Sequence, residues 1–445
     1  MKAWSASGSR FSIVYRSSAA MSSRLRSARH RAMISSSSMR PTTSVGIFWP
    51  AATRLLTEFG AEVIKIERTP DGDLGRKIHF VAPGVSAFFL AACAGKKSVA
   101  VEFRSAEGRE IVHQLARQAD VVIENYSPGV MAKYGFDYDT LKAINPQLIM
   151  CSISGFGQQG PYANFTSFDI IAQAQSGVMA MTGEPDGPPQ YVGNYFGDPN
   201  AGVHAAYAVA AALYHRAMHG EGQYIDLSQL EALVYLDYIN LPLNMMSEGR
   251  LKPTRFGGDF FNICPYGTYR ARNGYLVLAV MEHQWAPLVR AMGRPDLETD
   301  ERYATQAARC ARRPEVRALV ETWLQSLDSD EAALAILGEA RVPSAPILEI
   351  EQVPGHPQHA AREVFQQLPH PELGTTPIAR SPFRFSSAEN SIPFRAPYLG
   401  EHNEEILRER LGYSDAQIAA LYGAGSIVQD AKLADLRAAG KVAEG

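Results

Sequence analysis

Between Ala51 and Ser154 helix-like and strand-like segments follow one another in strict turn, and that alternation constrains the fold more than any other feature. Ala52–Phe59 reads as a helix stopped by Gly60, and Glu62–Glu67 as a strand. Ala87–Ala94 is helical and Ser98–Phe103 extended; Glu107–Gln118 is helical and Asp120–Glu124 extended; Tyr138–Ile144 is helical and Gln147–Ser154 extended. Four such units predict an α/β fold, because parallel strands need crossover helices to join them. Ligands of such sheets sit at the carboxyl ends of the strands.

At 445 residues the chain exceeds one small core, so more than one domain is expected. After a short helix over Asp169–Ser176 and an alanine-rich helix beginning near Asp198, the pattern changes beyond Leu251. Thr268–Ala271 and Tyr275–Val280 flank Arg272-Asn273-Gly274, a hairpin signal, and helices follow near Gln284–Met292, Pro314–Ser326 and Ser329–Ala340. Val342–Pro346 reads as a linker or edge strand. The expected division is a large domain over 46–250, a small α+β domain over 251–350, a return to the large domain over 351–425 and a polar helical tail over 426–445. Residues 1–45 stand apart, rich in Ser and Arg, with Glu58 the first acidic residue of the chain. They resemble a mitochondrial transit peptide or arise from the choice of start site, and are left out of the core.

Composition narrows the function. A net charge of −3 gives no support for a nucleic-acid or membrane partner, and no apolar run approaches the ~18 residues of a spanning helix. The cysteines (Cys93, Cys151, Cys264, Cys310) lie far apart, signalling neither zinc nor a disulfide framework, so no metal is expected and a reducing compartment fits. The cytoplasm is expected, or the mitochondrial matrix if the first residues are a true leader. Gly155–Gly160 matches GxGxxG after a strand, but Pro161 continues a loop where a dinucleotide site requires a helix.

The chemistry is sought at Gly197-Asp198-Pro199-Asn200-Ala201-Gly202. Pro199 suits a first helical turn, and the positive end of the helix favours an ionised Asp198. Such a carboxylate is either a helix cap or a nucleophile toward an activated acyl group. Arg68 and Lys96-Lys97 lie near strand ends, where cations hold phosphates or are simply solvated.

GAEVIKIER (60–68), GKKSVAVEF (95–103), DVVIENYSPGVMAKYGFDYDTL (120–141), NPQLIMCSISGFGQQGPYA (145–163), TGEPDGPP (182–189), GDPNAG (197–202), GEGQYIDLS (220–228) and LGEHNEEIL (399–407) together resemble the class III CoA-transferase family, over roughly residues 50–425. The resemblance implies a Rossmann-like large domain, a smaller domain and two chains interlinked as rings in a homodimer. It implies acyl-CoA and a small carboxylic acid as substrates and no permanently bound cofactor. Asp198 matches the catalytic aspartate, which takes the acyl group as an anhydride and then CoA as a thioester. Arg68, Lys96, Lys97, Lys133, Asn125, Tyr126 and Ser154-Gly155-Phe156-Gly157 match positions lining the CoA. Gly197 leaves room beside the nucleophile, and Gly257-Gly258 resembles a mobile loop shielding the intermediate. The family's racemases place a His directly before an Asp where this chain has Phe168-Asp169, so transferase is expected over racemase or epimerase. The usual AGP loop is replaced by Thr43–Pro50, with Ile47 and Phe48, which predicts weakened catalysis or a catalytically impaired CoA-binding homologue.

Overall fold

The computed structural model describes residues 43–46 and 50–443. The leader-like segment before Thr43, and Ile47 and Phe48 of the altered loop, lie outside the described residues. Six strands, β1 (Thr43–Gly46), β2 (Glu62–Arg68), β3 (Lys96–Val101), β4 (Val121–Glu124), β5 (Ile149–Ser154) and β6 (Tyr224–Ser228), form one sheet in the order β3-β2-β1-β4-β5-β6. Every neighbouring pair is parallel. Thr43–Val45, assigned above to the extension, thus belong to a central strand, with Ser44 opposite both Val63 and Val121.

The helices used below are α1 (Pro50–Glu58), α2 (Ala87–Cys93), α3 (Ala106–Gln118), α4 (Tyr138–Ile144), α5 (Asp169–Gln175), α6 (Gly197–His219) and α7 (Gln229–Tyr235). Their starts are chemically marked: Ser86, Ser105, Asp137 and Ser228 each accept an N–H from the first turn of the helix they precede. Gly220, at φ 79, ends α6 in a left-handed conformation that costs glycine little.

The two-residue period of the strands sorts side chains onto two covered faces. Val122 and Met150, with Ile64, Ile66, Val99 and Val101, pack against α3, α4 and the late residues Ile406, Leu407, Ile418 and Leu421. Val121, Ile123, Ile149, Cys151 and Ile153 pack on Ala52 of α1 and on Ala201, Ala205, Val209 and Ala212 of α6. Each fully buried aliphatic side chain stabilises the fold by roughly 2 kcal/mol.

The expected hairpin is β7 (Tyr266–Arg270) with β8 (Tyr275–Ala279), and β9 (Ser344–Pro346) joins it as an edge strand, Leu276 opposite Pro346. This sheet has its own core, including Leu276, Leu278, Trp285, Leu288, Val320 and Leu337. The chain then returns to β3: Asn403 Oδ1 accepts the Ala100 N–H at 2.9 Å, and Ile427 bridges to Val101. The tail therefore contributes apolar packing as well as a helix, Lys432–Ala438, whose Leu433 is fully buried.

Candidate functional site

The strand order reverses between β1 and β4, which opens a crevice beyond their carboxyl ends. Asn125 and Tyr126 leave β4 there, Arg68 ends β2, Ser154 leads from β5 into Gly155–Gly157, and Ser228 ends β6 opposite Ser154. Asn125 Oδ1, Ser154 Oγ and Gln158 Nε2 are buried and have no hydrogen-bond partner among the described residues. Buried polar atoms rarely stay unsatisfied, so three of them on one sheet edge mark where a polar ligand belongs.

Asp198 is the second residue of α6, and Phe196 is the N-cap, so Asp198 does not cap its own helix. The Asp198 N–H donates instead to Asp169 Oδ2 at 2.8 Å. Asp169 opens α5 and is 4% exposed, its other oxygen taking a hydrogen bond from Gln173. The Gln173 amide also holds the approach to α6, donating to Asn194 O and accepting the Val192 N–H, both at 3.3 Å. Gln229, the buried first residue of α7, donates to Asp198 Oδ1. A Cβ at Gly197 would stand 3.3 Å from Asp169 Oδ2, from Gln229 Nε2 and from Leu233 Cδ1. A side chain there would crowd the carboxyl–amide group, whose members would have to give way by a few tenths of an ångström.

The positive end of α6 does not hold Asp198 fully ionised as expected. Burial, and then the like charge of Asp169, push its carboxyl up to about 7, against the Gln229 hydrogen bond. Asp169 takes the helix-terminal N–H that would otherwise favour the Asp198 anion. Glu124, at the end of β4, is also pushed up to about 7 by burial, although Ser152 and the Tyr126 N–H hydrogen-bond it. It lines a cavity of about 290 Å³ with Ser127, Met131, Asp137, Ser152 and Tyr224.

The basic residues separate. Arg68 is exposed at the carboxyl end of β2, and its register partner Val101 places Arg104 just beyond the same edge. Lys133 is exposed on the short helix Val130–Tyr134. Lys96 and Lys97 do not join them, because they open β3 at the opposite, amino edge, Lys96 level with Val63. Five residues of strand, or ~16 Å, separate Lys96 from Arg68, and four separate Lys97 from it. Lys97 pairs with Glu62 at 2.8 Å and Glu405 at 2.5 Å, and Lys96 is 1% exposed. Burial pulls the Lys96 ammonium down to about 8.

Phe156 is buried, and a Cβ at Gly155 would lie 2.2 Å from Ser167 Cβ. The loop runs on without α-helix until α5, so it lacks the helix a dinucleotide fingerprint needs. Gly257, at φ 57, donates its N–H to Gly183 O at 3.0 Å, and the Arg255 guanidinium holds the carbonyls of Ala180, Glu184 and Gly187. The Gly257-Gly258 loop is thereby seated on the 182–189 segment, with a Cβ at 257 only 2.7 Å from Glu184 Oε2.

Gln229 and Arg104 were missed in the sequence. A glutamine opening a mainly apolar helix, with Glu231 its one charged residue, and an arginine just past a strand were the available signals. Among the described residues no group of three or more His, Cys, Asp or Glu is placed to hold a metal, and no helix is long and apolar enough to cross a membrane.

A model of CoA-transferase family III matches residues 42–403. The chain is 38% identical over 368 residues to a succinate–glutarate CoA-transferase of Agrobacterium fabrum, covering 81% of this chain and 91% of that one. It is 34% identical over 398 residues to a formyl-CoA:oxalate CoA-transferase of Streptomyces coelicolor, covering 85% and 95%. A crystal structure of a CaiB/BaiF family protein from Brucella suis superposes with a TM-score of 0.75 at 37% identity, over 83% of this chain and 98% of that one.

Proposed function

The chain belongs to CoA-transferase family III and is an enzyme of that class, and we propose that it moves CoA from an acyl-CoA to a small carboxylic acid with Asp198 as the covalent nucleophile. The observation that carries the reading is the half-buried Asp198 carboxyl, set between Gln229 and Asp169 and pushed up to about 7. Raised basicity makes its anion a stronger nucleophile than a solvated carboxylate. One oxygen attacks the thioester carbon, the C–S bond breaks, and CoA leaves as thiolate from a mixed anhydride. The thiolate attacks the Asp198 carbonyl carbon, releasing the donor acid and leaving an aspartyl-CoA thioester. The acceptor carboxylate then displaces CoA from Asp198 as a second anhydride, and the thiolate takes the acceptor acyl group, freeing Asp198. When the Asp198 carbonyl is attacked, the Gln229 amide stands where the oxyanion grows.

The strand order is that of doubly wound nucleotide-binding sheets, which supports a Rossmann-like role for the large domain with CoA along its carboxyl edge. Arg68, Arg104 and Lys133 are assigned to the CoA phosphates, and Asn125, Tyr126 and Ser154–Gly157 to the nucleotide and pantetheine. Gly257-Gly258 is assigned to cover the intermediate, and residues 251–350 to the small domain. A second copy of the chain is assigned to the apolar outer face of α6 and the residues after it, where Tyr207, Tyr214, Tyr238 and Met246 are exposed. The relatives' names suggest dicarboxylic acids as acceptors.

Incubation with an acyl-CoA followed by hydroxylamine should leave a hydroxamate on Asp198, read by mass spectrometry. Asp198→Ala should lower exchange by at least ~10³-fold while CoA still binds. Transfer surviving in that variant would overturn the assignment.

A further inference from the structure

A second polar device stands beside the nucleophile. His79 adopts φ 52, a left-handed conformation that side chains other than glycine enter rarely. Such residues persist where their surroundings over-determine them, often at binding sites. Here the surroundings are visible. The His79 carbonyl accepts the Ala87 N–H at 2.9 Å, at the start of α2, and its Nε2 lies 3.1 Å from the Tyr195 hydroxyl. Phe88 packs edge-on to Tyr195 at 5.9 Å between ring centres and against His79 at 6.4 Å. Tyr195 precedes Asp198 by three residues, which span at most ~11 Å of chain. The Tyr191 hydroxyl, shifted upward mainly by desolvation, also feels the charges of Asp169, Tyr195 and Asp198, which sets Tyr195 near the same carboxyls.

We propose that His79 and Tyr195 bind the distal carboxylate of a dicarboxylic acceptor, making the enzyme selective for diacids. This rests on the transferase reading above. In one tautomer Nε2–H donates to the Tyr195 oxygen, leaving the phenol O–H to donate outward. In the other the phenol donates to Nε2, leaving Nδ1–H. Either way one donor remains for a carboxylate oxygen. The Phe88 ring supplies an apolar wall for the methylenes joining the two carboxylates. The strained backbone at residue 79 then has a use, which is to turn the imidazole onto Tyr195.

His79→Gly is a safe probe because glycine favours the observed φ, and Tyr195→Phe removes only the hydroxyl. Each should raise KM for succinate and glutarate by about tenfold, one charge-assisted hydrogen bond's worth, with kcat within about twofold. KM for butyrate and valerate should not move. Glutarate binding measured by calorimetry should weaken in parallel. Equal losses for monoacids and diacids, or no loss for either, would overturn the proposal. If the wild-type protein transfers no CoA and Asp198 traps no acyl group, the transferase reading falls and the acceptor assignment falls with it, even where glutarate binding depends on His79. If Asp198 is trapped and the diacid preference is untouched in both variants, the transferase reading stands and the acceptor assignment falls alone.

Discussion

Two groups of carboxyls lie within the same sheet layer and have opposite fates. Glu67 and Asp73, beside β2, are matched by cations: Arg76 holds Glu67 through two bonds of 2.7 and 2.8 Å, and Lys65 reaches Asp73 at 2.5 Å. Burial raises the Glu67 carboxyl, but the Arg76 charge, its hydrogen bonds, Lys65 and Ser98 outweigh it and hold the group down at about 2. Glu124 is buried and Asp198 half-buried, yet their neighbours are a second carboxylate, amides and hydroxyls, and both are pushed up to about 7. Charge buried with its counter-charge is structure, whereas charge buried against like charge is poised for reaction.

That contrast breaks most readily at Glu67. Glu67→Gln strands Arg76 in the interior and should cost about 3 kcal/mol of stability, read as a lowered denaturant midpoint, whereas Asp169→Asn should cost little stability but much activity. Similar losses of stability from both would erase the distinction. A second test is pH. On the proposed mechanism Asp198 attacks as its anion, so kcat/KM for the acyl-CoA should fall tenfold per unit below about 7 and level off above it. In Asp169→Asn the acid limb should move to lower pH, since a like charge has gone. The stability signs are opposite at the two sites. Glu67, held low, contributes stability above its ordinary range that is lost as pH falls toward 2. Asp198, held high, costs stability as pH rises from its ordinary range through about 7. The smallest expected effect lies at the carboxyl edge, where Arg68→Ala or Arg104→Ala should each raise KM for acyl-CoA by about three- to tenfold, more at low salt. Lys97→Ala, at the far edge, should leave KM unchanged.

The sheet was legible because periodicity is local: the helices and strands from α1 to β5 begin and end within a few residues of the positions their patterns indicate. Which end of a strand a residue occupies is equally local, yet Lys96 and Arg68 were grouped as strand-end cations, and only the register separates them by the length of β3. The carboxyl of Asp198 was legible as a helix-mouth group. Its protonation was not, because the decisive neighbours Asp169 and Gln229 come from α5 and α7, about thirty residues away on either side. Ionisation is set by packing, which a linear reading cannot count.

The inner face of α6 is built from Ala201, Ala205, Val209 and Ala212, side chains too short to leave slack against β4 and β5. A rod of 23 residues laid flush on the sheet gives the carboxylate at its tip almost no travel. On the proposed mechanism, successive guests trade places around a stationary oxygen, and the motion is left to the coverings, such as the seat of Gly257 on Gly183. Turnover by that route would be a property of the hinges, sensitive to solvent viscosity, while the anvil beneath stays still.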